Sequence, residues 1–492
     1  MITIGIDLGT SSMKLLAVRE DGRILASSRQ EYALSFPRTG WAEQNPEDWW
    51  KACLRGLSEL CAVIPREEVA GIAVGGQMHG LVALDGADRV IRPAILWNDG
   101  RTTKEVEFLN ETVGKAVLSE RTGNIAFAGF TAPKLLWMRE HEPERFEKIR
   151  KILLPKDYLN HRLCGGYSTD YSDASGTLLL DVRGKCWSDE MTDLCGIGRE
   201  RLPALYESWE AVGTVRDETA DEVGLPRGIP VFAGAGDNAA AAVGTGTVND
   251  GACNLSLGTS GTLFVASDRF RIDPNNALHA FAHADGRFHL MGCMLSAASC
   301  NAWLGGTVLR EPDPEALQRE IRPERLGENT VWFLPYLMGE RSPVNDASAR
   351  GAFVGLSMDT SRADLVQAVL EGVSFGLREI LDVGRGLGLE IGSATLCGGG
   401  AKSALWRTIL SSVLNLRLDL PATEEGPGYG AAMLAMVGCG AYPSVPACAA
   451  ALVRTRGFLE PDPELAARYE ERYQTYRKLY PATKDLFRTG EE

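Results

Sequence analysis

The chain has 492 residues, of which 45% are hydrophobic and 24% are charged, and its formal net charge is −14. The length is sufficient for two sizeable domains, and the acidic balance argues against the basic face on which non-specific nucleic-acid binding depends. No apolar run approaches the ~20 residues that a membrane-spanning helix needs, and the N-terminus lacks the features of a secretion signal. We therefore expect a cytoplasmic protein that binds neither nucleic acid nor membranes, and whose eleven scattered cysteines are reduced thiols.

The first hundred residues alternate strand and helix signals. Three strands of a meander are predicted at residues 2–7, 13–19 and 24–31, with turns at residues 9–12 and 20–23. The second turn contains an Asp-Gly pair, which is a recognised hairpin signal.

A helix is predicted to follow this meander. Asn45 is a favoured N-cap residue, and Pro46 suits the first helical position because its missing N–H group has no partner there. Trp49 and Trp50 are then the expected buried anchors of the helix, and an apolar strand at residues 69–75 comes next.

An internal repeat divides the chain into halves. Residues 4–12, Ile-Gly-Ile-Asp-Leu-Gly-Thr-Ser-Ser, are echoed by residues 253–261, Cys-Asn-Leu-Ser-Leu-Gly-Thr-Ser-Gly, and a second strand follows each copy. This repeat predicts two similar α/β domains that face each other, with a boundary near residues 244–252. The predicted units are an N-terminal domain, a C-terminal domain and a helical tail packed on the latter: residues 1–246, 247–440 and 441–492.

The second half contains three further predicted elements before its tail. Apolar residues at helical spacing predict a long core helix at residues 362–389, followed by a strand at 394–397 and a helix at 405–414. Near the C-terminus, four tyrosines at helical spacing predict a packing seam. They are Tyr469, Tyr473, Tyr476 and Tyr480.

Both copies of the repeat suit phosphate binding. Tight turns rich in Gly, Ser and Thr offer backbone N–H donors without side-chain obstruction, and two copies in one chain predict a polyphosphate gripped between the domains. Asp7 precedes the first copy and is a candidate ligand of Mg²⁺ through water, since that ion prefers oxygen ligands and keeps much of its hydration. The candidate phosphate contacts are Gly9, Thr10, Ser11, Ser12, Lys14, Gly258, Thr259, Ser260 and Gly261.

A glycine-rich segment lies where the strand at 394–397 ends and the next helix begins. Its sequence, Gly398-Gly399-Gly400-Ala401, fits either tight packing of strand on helix or the close approach of an adenine ring and its ribose. The two hairpins favour the second interpretation, with Gly399, Gly400 and Ala401 as nucleotide contacts.

One acidic residue stands among glycines and alanines in residues 234–242, Gly-Ala-Gly-Asp-Asn-Ala-Ala-Ala-Ala. Taken alone, this stretch favours Asp237 as the N-cap of a helix that begins at Asn238. The alternative is a functional carboxylate that its small neighbours leave accessible to a ligand.

In chain order these motifs resemble the FGGY family of carbohydrate kinases, from Ile4 to about Gly438. The segments 77–80 and 95–101 are most similar to the branch that acts on D-xylulose, whereas glycerol kinases carry an Arg-Glu pair at the positions of Met78 and His79. The segments that carry the resemblance are the two Leu-Gly-Thr-Ser hairpins and residues 76–80, 97–102, 236–238, 333–341 and 398–400.

The resemblance implies two actin-like (ribonuclease-H-like) α/β domains with ATP and the sugar meeting in the cleft between them. It implies that Asp237 is the catalytic base, supported by Asp7 and Mg²⁺, and this outweighs the N-cap interpretation. Ala404 stands where some relatives have Asn, so the nucleobase contacts are expected to differ. The implied sugar contacts are Gln77, Met78, His79, Trp97, Phe130, Asp237 and Asn238.

The expected reaction is the ATP-dependent phosphorylation of D-xylulose to D-xylulose 5-phosphate with Mg²⁺. The alternatives are a related kinase of L-ribulose, D-ribulose or glycerol and, more remotely, a non-kinase actin-like ATPase. The partner is then a small-molecule sugar, and the resemblance also allows a homodimer.

Several polar residues keep two interpretations. His279, His283 and His289 flank an Asp-Gly pair, which is typical of a hairpin rather than of a metal site. The pairs Asp99 with Arg101 and Glu340 with Arg341 fit either a structural ion pair or a role beside the sugar.

Overall fold

The computed structural model describes residues 1–311, 313–423 and 425–487, which form two large mixed sheets with helices packed against them. The six-stranded sheet belongs to the N-terminal half of the chain, and the seven-stranded sheet belongs to the C-terminal half. Each sheet contributes to its own buried apolar core.

The N-terminal half contains fourteen strands and ten α-helices within the described residues. Its strands are β1 (Ile2–Leu8), β2 (Ser12–Arg19), β3 (Ile24–Glu31), β4 (Glu43–Gln44), β5 (Val69–Gly76), β6 (Val82–Leu84), β7 (Ala94–Ile95), β8 (Lys151–Leu153), β9 (Ser168–Asp170), β10 (Leu180–Asp181), β11 (Cys186–Trp187), β12 (Ala204–Tyr206), β13 (Ala211–Thr214) and β14 (Pro230–Gly236). Its helices are α1 (Pro46–Val63), α2 (Thr103–Glu107), α3 (Lys115–Thr122), α4 (Thr131–His141), α5 (Pro143–Phe146), α6 (Pro155–Cys164), α7 (Tyr171–Ala174), α8 (Asp189–Cys195), α9 (Asp217–Val223) and α10 (Asp237–Gly244).

The C-terminal half contains nine strands and eight α-helices within the residues that the structure describes. Its strands are β15 (Cys253–Leu257), β16 (Gly261–Ser267), β17 (His279–Ala282), β18 (Phe288–Met294), β19 (Trp332–Leu334), β20 (Ala352–Val354), β21 (Ser393–Cys397), β22 (Arg417–Pro421) and β23 (Thr455–Leu459). Its helices are α11 (Ala298–Trp303), α12 (Pro314–Gln318), α13 (Arg362–Gly386), α14 (Ala404–Leu414), α15 (Gly426–Gly438), α16 (Val445–Leu452), α17 (Pro463–Tyr476) and α18 (Leu479–Thr483).

The two sheets repeat one topology, as the internal repeat predicted. The first sheet has the order β3-β2-β1-β5-β14-β13, and the second has β17 at its edge followed by β18-β16-β15-β21-β22-β23. In both sheets an antiparallel meander is joined to two further parallel strands, and an antiparallel strand closes the far edge. Each copy of the repeat supplies the hairpin next to the parallel strands.

Local signals place the start of α1 as predicted. The side chain of Asn45 accepts a hydrogen bond from the backbone N–H of Glu47, and Pro46 occupies the first turn. Trp49 and Trp50 are buried on the face that packs against the first sheet, so their role as anchors is confirmed.

The long helix α13 ends three residues before its predicted end. Ser361 caps its N-terminus and exchanges hydrogen bonds with Asp364, which is a capping box. Gly388 adopts a positive φ of 78°, a conformation that stops a right-handed helix and that glycine adopts at little cost. The helix therefore ends at Gly386 rather than at residue 389.

The predicted tail, residues 441–492, is helical only in part. Residues 455–459 form β23, which extends the second sheet, while α17 packs on α13 and α14. Tyr469, Tyr473 and Tyr476 are buried in the core of the second half, which confirms the packing seam, and Tyr480 lies partly buried on α18. Residues 488–492 lie outside the described residues.

Helix α15 follows the second repeat but packs on the first sheet and on α10. Glycines make this close approach possible, because a Cβ atom on Gly430 would lie 1.8 Å from the carbonyl oxygen of Ala240. A Cβ atom on Gly244 would likewise lie 2.2 Å from the carbonyl oxygen of Gly426. The two halves are thus joined through this helix pair.

In the described part of the chain, no helix is both long and apolar enough to cross a lipid bilayer.

Candidate functional site

Three adjacent parallel strands deliver the candidate residues to one edge of the first sheet. Strands β14, β5 and β1 lie side by side, with Gly76 opposite both Leu8 and Gly236. Gln77 and Asp237 directly follow β5 and β14, and Asp7 is the penultimate residue of β1. Because the carboxyl ends of parallel strands share an edge, residues more than two hundred positions apart meet there.

Asp237 is the first residue of α10 and not its N-cap. Gly236 occupies the N-cap position in an extended conformation and offers no side chain, so the N-cap interpretation is wrong. The Oδ1 atom of Asp237 accepts hydrogen bonds from the backbone N–H and the side-chain amide of Asn238, at 2.7 and 2.9 Å. Burial raises the pKa of Asp237 to about 6, against the lowering effect of these two bonds.

A buried polar chain holds the backbone just before Asp237. The N–H of Gly236 donates to Ser172 Oγ at 3.1 Å, and Ser172 Oγ donates to Asp170 Oδ2 at 2.5 Å. Lys156 Nζ lies 2.9 Å from Asp170 Oδ1, and the three side chains are all buried. The sequence analysis did not identify this series of polar contacts. The many Asp and Ser residues in 168–175 were the signal that could have indicated it.

Asp7 and Asp237 influence each other's surroundings. Burial and then the charge of Asp237 raise the pKa of Asp7 to about 7, while the charge of Lys14 opposes the shift. Lys14 itself forms an ion pair with Glu425, the residue before α15. Two neighbouring half-buried carboxyls of raised pKa are the kind of ligand set whose ionised form a divalent cation stabilises.

The first hairpin projects Thr10 and Ser11 between β1 and β2. Its turn closes through a hydrogen bond from the N–H of Gly9 to the carbonyl oxygen of Ser12, at 3.1 Å. Trp97 Nε1 donates to Thr10 Oγ1 at 3.0 Å, so this predicted sugar contact lies beside the hairpin, with 42% of its surface exposed.

The second hairpin lies at the equivalent place between β15 and β16, and the hydrogen bond across its turn spans one residue fewer than in the first. The N–H of Gly258 donates to the carbonyl oxygen of Ser260 at 3.1 Å, which leaves Thr259 and Ser260 at the tip. Gly261 pairs with Leu257 and begins β16. Helix α11 also contacts this turn, because the N–H of its first residue, Ala298, donates to the carbonyl oxygen of Gly258 at 2.8 Å.

The glycine-rich segment leaves β21 at the same edge as the second hairpin, since β15 and β21 are parallel neighbours. Gly398 has a φ of 93°, and Cβ atoms on Gly398 and Gly400 would meet Leu257 at 2.7 and 2.6 Å. Gly399 instead has no atom within 4 Å of its Cβ position. The segment therefore combines tight packing with an open face, and Ala401 is buried beneath it.

Among the other predicted sugar contacts, Gln77, Met78 and Phe130 are buried, and His79 is half-buried. Met78 packs against Gly236, and the His79 ring stacks on Phe130 with 4.7 Å between centroids. Gln77 Nε2 donates to Gln44 Oε1 at 3.1 Å, whereas Gln77 Oε1 has no hydrogen-bond partner among the described residues.

His79 is neutral and has a defined tautomer. Its Nδ1 atom lies 2.7 Å from the carbonyl oxygen of Gly176, so Nδ1 carries the proton and donates. This leaves Nε2 as a hydrogen-bond acceptor. Burial lowers the pKa of His79 to about 3, so the ring stays uncharged at neutral pH.

His279, His283 and His289 lie on a hairpin, as the Asp-Gly pair between them predicted. His279 lies in β17 and His289 in β18, and these strands are paired. His289 stacks on Phe264 at 4.0 Å, while His283 Nε2 lies 2.9 Å from the carbonyl oxygen of Thr247. Within the described ranges, metal-type clustering of ligand atoms occurs at Glu105, Glu140 and His141 instead.

The two charged pairs behave differently. Asp99 and Arg101 form a bidentate, buried ion pair with distances of 2.8 and 2.7 Å, so the structural interpretation holds for them. Glu340 does not pair with the Arg341 guanidinium, because its Oε1 atom accepts from the backbone N–H groups of Leu295 and Arg341.

The chain matches models of the FGGY family of carbohydrate kinases, the N-terminal domain over residues 2–244 and the C-terminal domain over residues 253–439. It is 43% identical over 479 residues to the xylulose kinase of Escherichia coli (strain K12), covering 97% of this chain and 98% of that protein. A crystal structure of a xylulose kinase from Brucella ovis superposes with a TM-score of 0.94 at 42% identity, covering 99% of this chain and all of the other. The gluconate kinase of Lactobacillus acidophilus superposes with a TM-score of 0.93 at 25% identity, covering 98% of each chain.

These matches confirm two predictions made from the motifs. The resemblance to the family extends over nearly the whole chain, and the two-domain α/β fold is that of solved FGGY kinases. The roles of individual site residues stay predictions.

Proposed function

Because the chain belongs to the FGGY family of carbohydrate kinases, we propose that it transfers the γ-phosphoryl group of ATP to the 5-hydroxyl group of D-xylulose. The xylulose kinases among its relatives, at up to 43% identity over nearly full length, support this substrate. The observation that carries the reaction type is the half-buried carboxyl of Asp237 with its raised pKa, placed at one sheet edge with Asp7 and the first hairpin.

Asp237 has the properties of a general base. A sugar hydroxyl is a poor nucleophile, and a carboxylate within hydrogen-bond reach orients it and accepts its proton late in phosphoryl transfer. With a pKa of about 6, Asp237 is mostly ionised at neutral pH and still binds a proton readily. Its bonds to Asn238 fix the orientation of the carboxylate, so little reorganisation accompanies the reaction.

The two hairpins and Gly399 are the proposed nucleotide contacts. The hairpin turns present backbone donors to the phosphates, one from each half of the chain, and the open face above Gly399 accommodates the flat adenosine. Ser403 caps α14, so Ala404 lies in its first turn and offers no polar group to the nucleobase.

Asp7 fits a hydrated Mg²⁺ ion, because its half-buried carboxyl has a raised pKa next to a second carboxyl. When bound, the ion would neutralise charge on the phosphates. The scattered cysteines of the sequence are typical of a reducing, cytoplasmic setting.

The decisive test is ADP release with Mg-ATP and a panel of D-xylulose, L-ribulose, D-ribulose, glycerol and gluconate. We expect the highest turnover on D-xylulose, and a loss of at least about a hundredfold in kcat for Asp237→Asn with sugar binding retained. Asp193→Asn, on the surface of α8, serves as the matched control and keeps full activity.

Each contrary result has a distinct meaning. Higher turnover on another sugar would replace the substrate and keep the mechanism. Unchanged turnover of Asp237→Asn would show that Asp237 is not the general base. ATP hydrolysis at the same rate with and without each sugar would favour the actin-like ATPase.

A further inference from the structure

Arg341 belongs to the C-terminal half, yet its guanidinium lies against the aromatic group around His79. Its Cζ atom is 5.1 Å from the centroid of the Phe127 ring. Phe127 is 5.5 Å from Phe130, and Phe130 stacks on His79 at 4.7 Å. Arg341 is thus connected to the sugar-side group through a short series of rings that crosses from one half of the chain to the other.

Among the described residues, no carboxylate oxygen lies within ion-pair distance of the Arg341 guanidinium, which lies over the Phe127 ring. The hydrogen bonds of Arg341 come from its backbone, where the N–H donates to Glu340 Oε1 and the carbonyl oxygen accepts from the N–H of Asn345. The neighbouring Glu340 supplies little counter-charge at neutral pH, because burial raises its pKa to about 8 even though the charge of Arg341 lowers it. A half-buried cation without a counter-charge destabilises the protein unless a ligand or water forms hydrogen bonds with it.

The charge of Arg341 acts on two histidines of this aromatic group. At His279 it is the next cause after burial that lowers the pKa, and at His79 it lowers the pKa less than burial and the charge of Lys134 do. The pKa of Asp237 instead reflects burial and its bonds to Asn238. The ring contacts therefore place Arg341 on the aromatic side of the site, where Phe127 and Phe130 connect it to His79.

His79 and Arg341 together present one acceptor and one cationic donor. Nε2 of His79 accepts, since Nδ1 donates to Gly176, and the guanidinium of Arg341 only donates. The hydroxyketone end of an open-chain 2-ketose offers the complementary pair: a hydroxyl that donates beside a carbonyl oxygen that only accepts.

We propose that Arg341 is a specificity-determining residue, which donates to the carbonyl oxygen of a 2-ketose while His79 Nε2 accepts from the neighbouring hydroxyl. This inference rests on the proposed sugar kinase function and deepens it. A polyol carries at this position a hydroxyl that also donates and rotates freely, whereas a carbonyl oxygen only accepts and is fixed in direction, so a donor that is held in place favours the ketose. Because Arg341 and His79 lie on different halves, a bound ketose also bridges the cleft.

The test compares D-xylulose with D-arabinitol, which differs from it by reduction of the carbonyl. For Arg341→Met we expect kcat/KM on D-xylulose to fall about 10- to 100-fold, the usual range for one hydrogen bond to a charged group. The value on D-arabinitol should change less than about threefold, so the preference for the ketose shrinks. Arg341→Lys should restore part of it, and Arg322→Met, on the surface of the same half, should change neither.

Sugar binding without nucleotide, followed by tryptophan fluorescence, separates this inference from the proposed function. Wild-type protein should bind D-xylulose more tightly than Arg341→Met does, by a similar factor, with melting temperatures that match. Equal losses on ketose and polyol, or no loss on either, would overturn the role of Arg341. If the wild-type protein phosphorylates no sugar, the proposed function is wrong. If Arg341→Met then binds D-xylulose as tightly as the wild type does, the role of Arg341 is wrong as well.

Discussion

Asp237 shows how its surroundings tune one side chain. In an exposed loop an aspartate has a pKa of about 4, but burial at the start of α10 raises the pKa of Asp237 to about 6. The bonds from Asn238 limit that rise because they stabilise the ionised form. The result is a carboxylate that is ionised at neutral pH and more basic than an ordinary aspartate.

This shift predicts the pH dependence of the reaction. The raised pKa means that Asp237 is protonated, and unable to act as a base, at pH values where a normal aspartate is still ionised. We expect kcat/KM to rise about tenfold per unit from pH 4.5 towards 6, and to level off above about pH 7. Steady-state rates on D-xylulose, with coupling enzymes in excess at each pH, provide the measurement. A profile that stays level down to pH 5 would contradict the shift.

Asp7 titrates in the same window, with a pKa near 7. Its rise comes partly from the charge of Asp237, so protonation of either carboxyl favours ionisation of the other. The apparent pKa in a rate profile therefore belongs to this pair of residues, and a bound divalent cation would shift it downward.

Helices α10 and α15 pack closely against each other because glycines lie where they meet. Gly430 and Gly244 face backbone carbonyl groups at distances that leave no room for a Cβ atom. Since α10 begins with Asp237, the position of α15 also supports the site.

Gly430→Ala tests this packing. The added methyl group would lie 1.8 Å from the carbonyl oxygen of Ala240, so the helices must separate. We expect a loss of about 3 kcal/mol or more in the free energy of unfolding, because overpacking against backbone cannot be relieved by a rotamer change. Urea denaturation measures this directly.

Gly386→Ala is the matched control for that variant. Gly386 is also a helical glycine, at the end of α13, but nothing lies within 4 Å of its Cβ position. Its substitution should be neutral or stabilise by up to about 1 kcal/mol, as alanine is the better helix former. Equal effects of the two variants would show that helix propensity, and not the close approach, sets the outcome.

The molecule as a whole consists of two sheets of one topology that are bridged by α10 and α15. The proposed phosphate contacts come from both halves, and so do His79 and Arg341. A reaction that needs contacts from both sides of a cleft is favoured when the halves close and exclude water.

Closure is expected when both ligands are bound. Small-angle X-ray scattering should give a smaller radius of gyration with D-xylulose and a non-hydrolysable ATP analogue together than with neither. Asp237→Asn should close as the wild type does, because it loses the base and not the binding groups. A radius that does not change with any ligand would contradict closure as part of the mechanism.

Short-range signals were sufficient for much of this protein. Asn45 and Pro46 mark a helix start through bonds within one turn, and the repeat at residues 4–12 and 253–261 predicts the hairpins and the similarity of the two sheets. Such features depend on neighbours in the chain, so they can be read without the fold. The ordered motifs likewise identified the family.

Other features arise from contacts between remote segments. The register of β1, β5 and β14 brings Asp7 to Asp237, and the buried chain from Lys156 through Ser172 to Gly236 joins three separate parts of the sequence. The pKa of a carboxyl depends on everything packed around it, which no local pattern encodes. The start of α10 at Asp237 and the approach of Arg341 to the His79 end of the site were therefore settled by packing alone.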